Sequence, residues 1–113
     1  MAAYFIVELE VQDVATFEEY RKQVPATIAK YGGRYLVRGG KTETLEGDWH
    51  PKRVVVLEFP SLEQAKRFYD SPDYGPQKAL RLKSAKSKLI LVEGVRPAER
   101  HRDSPAERLT RSP

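Results

Sequence analysis

The sequence lacks cysteine and has few of the other residues that commonly hold metals or haem. Of its 113 residues none is cysteine, two are histidine and one is methionine. Disulfides, thiolate metal sites and cysteine nucleophiles are therefore excluded. The histidines are His50, in a Trp-His-Pro stretch, and His101, near the carboxyl end. Neither falls in a pattern typical of a helix or strand, so we predict no metal, haem or other cofactor.

Long apolar runs are also missing. No stretch approaches the ~18 apolar residues that a membrane-spanning helix needs. Glu8 follows the first apolar residues too closely for the apolar region of a secretory signal peptide. We therefore expect a cytoplasmic protein without a membrane partner.

Charge of one sign is not concentrated anywhere in the chain. The sequence has 20 Lys and Arg against 16 Asp and Glu, and the two signs are interleaved. The densest basic stretch contains Lys78, Arg81, Lys83, Lys86 and Lys88. A solvated face explains this stretch more simply than contact with phosphates, so we do not expect a nucleic-acid partner.

What the sequence does contain is a series of apolar strands separated by helices. Apolar runs predict strands over residues 4–11, 34–39, 53–59 and 89–95. After Asp13, apolar residues recur at steps of three and four, which predicts a helix. Pro25 predicts a break in this helix near Val24, and Gly32 with Gly33 predicts its end.

The second helix begins with a capping box, Ser-Leu-Glu-Gln at residues 61–64. A turn follows at residues 71–76, and then a short helical turn at residues 77–82. The order β-α-β-β-α-β predicts an α+β, ferredoxin-like domain with an antiparallel sheet and two helices on one face. We place this domain at residues 1–96 and expect a flexible polar tail over residues 97–113.

The predicted sheet has apolar residues on both faces. Side chains alternate along a strand, and in three strands one face is purely apolar while the other is apolar and then acidic. The second face is predicted to hold Ile6, Glu8, Val54, Val56, Glu58, Leu89, Leu91 and Glu93. Two helices can cover only one face, so we predict a homodimer through the other, exposed sheet face.

Two arginines of the second strand, Arg34 and Arg38, have the same parity and are predicted to face these carboxylates. The pattern is explained most simply by a salt-bridge network that closes the dimer, and the alternative is a ligand cavity beside Arg38 and Glu58. Glu58 and Glu93 are predicted to lie two strand spacings apart, roughly 9–10 Å, which is too far to share a proton.

Several segments together resemble a known family. They are residues 31–40 (YGGRYLVRGG), 45–49 (LEGDW), 53–60 (RVVVLEFP) and 71–74 (SPDY). Their combination resembles domain of unknown function 1330, of the dimeric α/β-barrel superfamily, over about residues 3–96. The resemblance implies a ferredoxin-like fold and a dimer of back-to-back sheets. It implies no reaction, since the superfamily includes cofactor-free monooxygenases, isomerases, haem-dependent enzymes and ligand-sensing domains.

Two hypotheses for function remain open. In the first, the protein is a cofactor-free enzyme that acts by proton transfer on a small metabolite, with His50 or Glu58 as the catalytic group. The predicted substrate-binding residues are Arg38, Trp49, Tyr69 and Tyr74. In the second, the protein is a ligand-binding or stress-associated dimer without catalysis.

Overall fold

The computed structural model describes residues 1–95 as one antiparallel sheet with helices packed on one face. In chain order the elements are β1 (Ala3–Val11), α1 (Val14–Lys30), β2 (Arg34–Arg38), β3 (Arg53–Phe59), α2 (Leu62–Tyr69), α3 (Gly75–Ser84) and β4 (Ala85–Glu93). The strands are arranged β2-β3-β1-β4 across the sheet. The predicted ferredoxin-like fold is confirmed. The predicted domain end at residue 96 and the tail at residues 97–113 lie outside the described residues.

The core lies between the sheet and the helices. Alternate residues of β1 point into it, and Phe5, Val7 and Leu9 are all at most 5% exposed. Phe5 meets the ring of Phe59 edge to face, with the centroids 5.7 Å apart. Burying side chains of this size stabilises a fold by roughly 1.5–3 kcal/mol each, so this row of residues anchors the helices to the sheet.

Helix α1 is continuous, and the predicted break at Pro25 is wrong. Proline deprives the carbonyl of Arg21 of its helical hydrogen bond. Arg21 lies on the exposed side of the helix, where water can satisfy that carbonyl. On the opposite face of the helix, Val24 before the proline and Ile28 after it are both buried, each 2% exposed. Packing therefore keeps the helix intact.

The ends of α1 follow the sequence signals. The Asp13 carboxylate accepts hydrogen bonds from the backbone N–H of Thr16 (3.2 Å) and from its hydroxyl (2.6 Å). At the other end Gly32 has a φ of 83°, and the N–H of Gly33 donates to the carbonyl of Ile28 at 2.9 Å. This is a Schellman motif, for which glycine is the preferred residue.

The second half of the chain contains more helix than predicted. The Ser61 hydroxyl caps α2 by accepting from the N–H of Gln64, as expected, at 3.0 Å. The Gln64 side chain instead donates to the carbonyl of Tyr31, which joins the start of α2 to the end of α1. The predicted short turn at residues 77–82 is helix α3, ten residues long. Pro76 in its first turn is pre-organised for helix and needs no N–H there.

Strand β4 begins earlier than predicted, and its two faces are reversed. Leu89 and Leu91 pair with Val7 and Phe5, so they lie on the helix-covered face. Ile90 and Val92 pair with Ile6 and Tyr4 and lie on the other face. Glu93 pairs with Ala3 and therefore lies on the helix-covered face. The prediction that it shares a face with Glu8 and Glu58 is wrong. Residues 89–92 are all apolar, and such a run has no alternation to orient it.

Strand β2 contains a bulge that separates its two arginines. Arg34 pairs with Glu58, whereas Arg38 pairs with Val55, because the register shifts between Tyr35 and Val37. The extra residue turns the following side chains to the other face. The prediction that Arg34 and Arg38 share a face is therefore wrong.

The sheet face opposite the helices, here called the open face, combines apolar and charged residues. Its exposed apolar residues include Ile90 (58%), Val92 (40%) and Val37 (39%). Its charged residues include Glu8, Glu58, Arg34 and Lys88. Within residues 1–95 no helix packs against this face.

Candidate functional site

A cleft lies between the sheet and the helices. Its empty space is about 590 Å³ including the open mouth, and only a small part of that space is wide enough for a water molecule. Val7, Val55 and Leu57 form its floor on the sheet, and Phe17 and Val24 of α1 form part of its roof. The cleft is thus narrow and largely apolar, a shape that suits a flat ligand.

Four guanidinium groups line this apolar cleft, from Arg21, Arg38, Arg53 and Arg81. Among the described residues, no aspartate or glutamate lines it. Arg38 lies over the ring of Tyr35, 4.5 Å from the centroid, and Arg53 lies over the ring of Phe17 at 5.5 Å. Arg21 has a partner at the surface, Glu18, at 3.3 Å. The cleft is therefore electropositive, and an anion is the ligand that complements it.

Arg53 has an unused donor in the cleft. Its Nε is buried and, within residues 1–95, has no hydrogen-bond partner. Gly39 makes room for this group: a Cβ at that position would lie 2.6 Å from the Arg53 Nε, and its φ is 75°. A buried guanidinium N–H without an acceptor is costly, and a ligand oxygen would satisfy it.

Arg81 and two tyrosines form a hydrogen-bonded chain at the side of the cleft formed by α3. Arg81 is 3% exposed, and its Nε donates to the Tyr74 hydroxyl oxygen at 3.2 Å, while its Nη1 donates to the Ser87 hydroxyl at 2.5 Å. The hydroxyls of Tyr74 and Tyr20 lie 3.4 Å apart. Arginine can only donate, so the Tyr74 oxygen accepts from it, while either hydroxyl can be the donor between Tyr74 and Tyr20. In the arrangement in which Tyr74 donates, the proton of Tyr20 is available to a ligand oxygen.

Burial holds the Tyr20 and Tyr35 hydroxyls in the protonated form. It raises the pKa of Tyr20 well above its ordinary value, and the neighbouring Tyr74 adds to this effect. Burial also raises the pKa of Tyr35, although the positive charge of Arg38 acts in the opposite direction. At neutral pH both hydroxyls are therefore hydrogen-bond donors.

The six predicted site residues are divided between the two faces of the sheet. Arg38, Tyr69 and Tyr74 line the cleft. Glu58 lies on the open face, where it accepts from the Arg34 Nε at 2.7 Å. The Trp49 indole donates to the Glu8 carboxylate on the same face, at 3.0 Å. His50 is exposed and lies 3.5 Å from Asp48.

The predictions missed five of the tyrosines and arginines that line the cleft: Tyr20, Arg21, Tyr35, Arg53 and Arg81. For two of them the sequence carried a signal. Tyr20 belongs to the apolar stripe of α1, and Arg53 has the same parity as Val55 and Leu57, which predicts the covered face. For Arg81 the sequence contained no such signal, because a basic residue among lysines is typical of a solvent-exposed surface.

Residues 1–95 contain no candidate metal site and no candidate membrane-spanning helix. That part of the chain holds no group of three or more His, Cys, Asp or Glu residues arranged to bind a metal ion. None of its helices is long and apolar enough to cross a membrane.

The sequence profile of domain of unknown function DUF1330 matches residues 2–95, which is most of the chain. The protein belongs to the DUF1330 family. The resemblance noted from the sequence is thus confirmed. Among proteins of curated function, none matches this DUF1330 chain significantly.

Solved structures with the same fold include both enzymes and uncharacterised proteins. A protein of unknown function from Rhodopseudomonas palustris, RPA0582, is 18% identical with a TM-score of 0.68, over 85% of this chain and 84% of that one. SnoaB of Streptomyces nogalater, a cofactor-independent oxygenase, is 16% identical with a TM-score of 0.57, over 84% and 94%. A dimeric ferredoxin-like protein from Jannaschia sp. CCS1 is 12% identical with a TM-score of 0.58, over 83% and 100%. At these identities the likeness concerns the fold alone.

Proposed function

We propose that this DUF1330 protein binds a small organic anion with a flat apolar body in the cleft between its sheet and helices. The observation that carries the proposal is the lining of the cleft, where Arg38, Arg53 and Arg81 are accompanied by no aspartate or glutamate within residues 1–95. Clustered positive charge in a partly buried site is unfavourable without a counter-charge. A bound anion would supply it.

The acidic group of such a ligand would lie against the arginines of the cleft, and its apolar body would lie against the apolar walls. The acidic group would lie between Arg38 and Arg53, where the buried Arg53 Nε lacks an acceptor among the described residues. The flat body would lie against the sheet residues Val55 and Leu57. A second oxygen of the ligand would accept the available proton of Tyr20. Guanidinium–carboxylate hydrogen bonds are among the stronger polar contacts in proteins.

The chain of Tyr20, Tyr74 and Arg81 favours a second candidate, a cofactor-free enzyme that acts by proton transfer. The Tyr20 hydroxyl at the end of this chain would donate to the oxygen of an enolate or phenolate and stabilise it as it forms. The fold neighbour SnoaB is a cofactor-independent oxygenase, which is compatible with such chemistry. No carboxylate or imidazole of residues 1–95 lines the cleft. Water at the mouth of the cleft would therefore accept the proton that the substrate loses.

We also propose that two copies pair through the open face. Its exposed apolar residues, such as Ile90, would be covered by a partner, and neighbours with this fold are described as dimeric. His50 and Glu58, first considered as proton-transfer groups, would act at or near this interface, because Glu58 and its partner Arg34 lie on the open face.

The binding proposal is tested with aromatic carboxylates as probes, using calorimetry on the intact chain. Replacing Arg38 by Gln should weaken binding about tenfold or more, which corresponds to the 1.5–3 kcal/mol of a charged hydrogen bond. Arg67→Gln is the matched control, since Arg67 is exposed on α2 and does not line the cleft. Equal binding by the two variants would contradict the proposal. Incubation of a bound probe in air, followed by mass spectrometry of the probe, distinguishes the two candidate functions. An enzyme would change the probe, and a binding protein would leave it unchanged.

A further inference from the structure

A second cavity, here called the side groove, opens beside the cleft between α2 and the sheet. It is lined by Phe5, Lys66, Tyr69, Asp70, Leu89 and Leu91. Its empty space is about 520 Å³, and a much larger part of it than of the cleft is wide enough for a water molecule. Its floor is apolar, because Leu89 and Leu91 lie on the helix-facing side of β4.

The side groove and the cleft share part of their lining. Phe5, Tyr69 and Leu89 line both cavities. Phe5 is fixed, since it is 3% exposed on a central strand and packs edge to face on Phe59. Leu89 is held by its pairing with Val7. Tyr69, the last residue of α2, is the largest partly exposed side chain between the two cavities.

Tyr69 is held by weak contacts only. Its ring lies 6.0 Å from Phe5 and 6.1 Å from Tyr74 between centroids, and the Lys78 ammonium lies over its other side at 4.1 Å. Within residues 1–95 its hydroxyl makes no hydrogen bond. Partly exposed side chains of this kind change rotamer on a fast timescale.

From this shared lining we propose that the side groove binds the apolar tail of the same ligand whose acidic group lies in the cleft, with the tail passing Tyr69 between the two. The inference rests on the proposed anion site. It names the ligand class more closely: an amphiphilic acid, with an anionic head and an acyl or aryl tail longer than the cleft.

The charges around the two cavities agree with this assignment. The cleft has the guanidinium groups, whereas the walls of the side groove are aromatic and aliphatic, with Lys66 and Asp70 exposed at its outer edge. An acidic head would therefore prefer the cleft, and a tail leaving it past Tyr69 would bury apolar surface along Leu89 and Leu91.

The experiment measures, by calorimetry, the affinity of the intact protein for straight-chain carboxylates of increasing length, at concentrations below micelle formation. Once the tail reaches the groove, each further methylene should raise the affinity about fourfold, the value for one fully buried CH₂, until the groove is filled. Tyr69→Ala should allow shorter chains to show this increase.

Leu91→Phe is the decisive variant, because Leu91 lines the side groove and not the cleft. It should remove the increase with chain length while leaving the binding of the shortest acids unchanged. Leu82→Phe is the matched control, the same substitution at an exposed position of α3, and should behave as wild type. Circular dichroism and the midpoint of thermal unfolding establish that both variants are folded.

The possible failures are distinguishable. Short acids that bind through Arg38, with no gain from longer chains, would overturn the side-groove inference and leave the anion site standing. The inference would also be overturned if the affinity still rose with chain length in Leu91→Phe but no longer did so in the open-face variant Val92→Thr. The tails would then lie on the other side of the sheet. No Arg38-dependent binding at any length would overturn both.

Discussion

Arg34 and Arg38 lie four residues apart in β2 and on opposite faces of the sheet. Arg34 makes an ion pair with Glu58 on the open face, with its Nε 2.7 Å from the carboxylate oxygen. Arg38 lies over Tyr35 at the cleft. The bulge between Tyr35 and Val37 is therefore what gives one strand a charge for each face.

This separation predicts opposite effects for the same substitution at the two positions. Arg34→Gln should lower the free energy of unfolding by no more than about 1 kcal/mol, because its ion pair is largely exposed, and should leave anion binding unchanged. Arg38→Gln should leave stability nearly unchanged and weaken binding. Urea denaturation and calorimetry on both variants measure the two effects. Loss of binding in Arg34→Gln would show that the open face, and not the cleft, holds the anion.

Replacing Tyr74 by Phe tests the buried chain beside the cleft. The substitution removes the acceptor of the Arg81 Nε, and an unsatisfied buried donor costs about 1–3 kcal/mol. Urea denaturation should show a loss of that size. Tyr69→Phe is the matched control, because it deletes a hydroxyl that makes no hydrogen bond within residues 1–95. An equal, small effect in both variants would mean that Arg81 does not depend on Tyr74.

Alkaline pH should destabilise the protein through Tyr20. Because the pKa of Tyr20 is raised in the folded state, the unfolded chain loses this proton first, near pH 10. Stability from this group is therefore complete below pH 10 and falls above it, by up to about 1.4 kcal/mol per pH unit. Tyr35 contributes in the same direction.

The corresponding measurement compares denaturation of wild type and Tyr20→Phe between pH 8 and 11. The free energy of unfolding of the variant should fall less steeply above pH 10 than that of wild type, because phenylalanine has no proton to lose. Absorbance of the folded protein near 295 nm provides a second test, because a phenolate formed at Tyr20 would absorb there. Identical pH dependence of the two proteins would contradict burial of the Tyr20 hydroxyl.

The fold could be read from the sequence where residue types alternate clearly. Glu8 and Glu10 mark one face of β1, and the capping residues Asp13 and Ser61 mark helix starts that the structure confirms. Residues 89–92 are uniformly apolar, and either face of β4 was compatible with them. Its orientation depends on pairing with β1, which is a property of the assembled sheet.

The cleft was harder to predict than the fold. Tyr20, Arg53 and Arg81 come from a helix, a strand and a second helix, and only their packing brings them to one cavity. The bulge in β2 adds a single residue, which no alternation pattern reveals and which moved Arg38 from the predicted face to the cleft. Local signals place side chains on a face, but they do not place faces against each other.

Dimer formation through the open face is tested by a charge on its edge strand β4. Ile90 is 58% exposed in the single chain and pairs with Ile6 on β1. A lysine there would be buried without a partner if two sheets meet back to back, so Ile90→Lys should be monomeric at micromolar concentration. Leu82→Lys is the matched control, with 61% exposure on α3. Light scattering should find about two chains per particle for wild type and Leu82→Lys and one for Ile90→Lys. A dimer that survives Ile90→Lys and dissociates with Leu82→Lys would place the interface on the helices, and a monomeric wild type would exclude the dimer altogether.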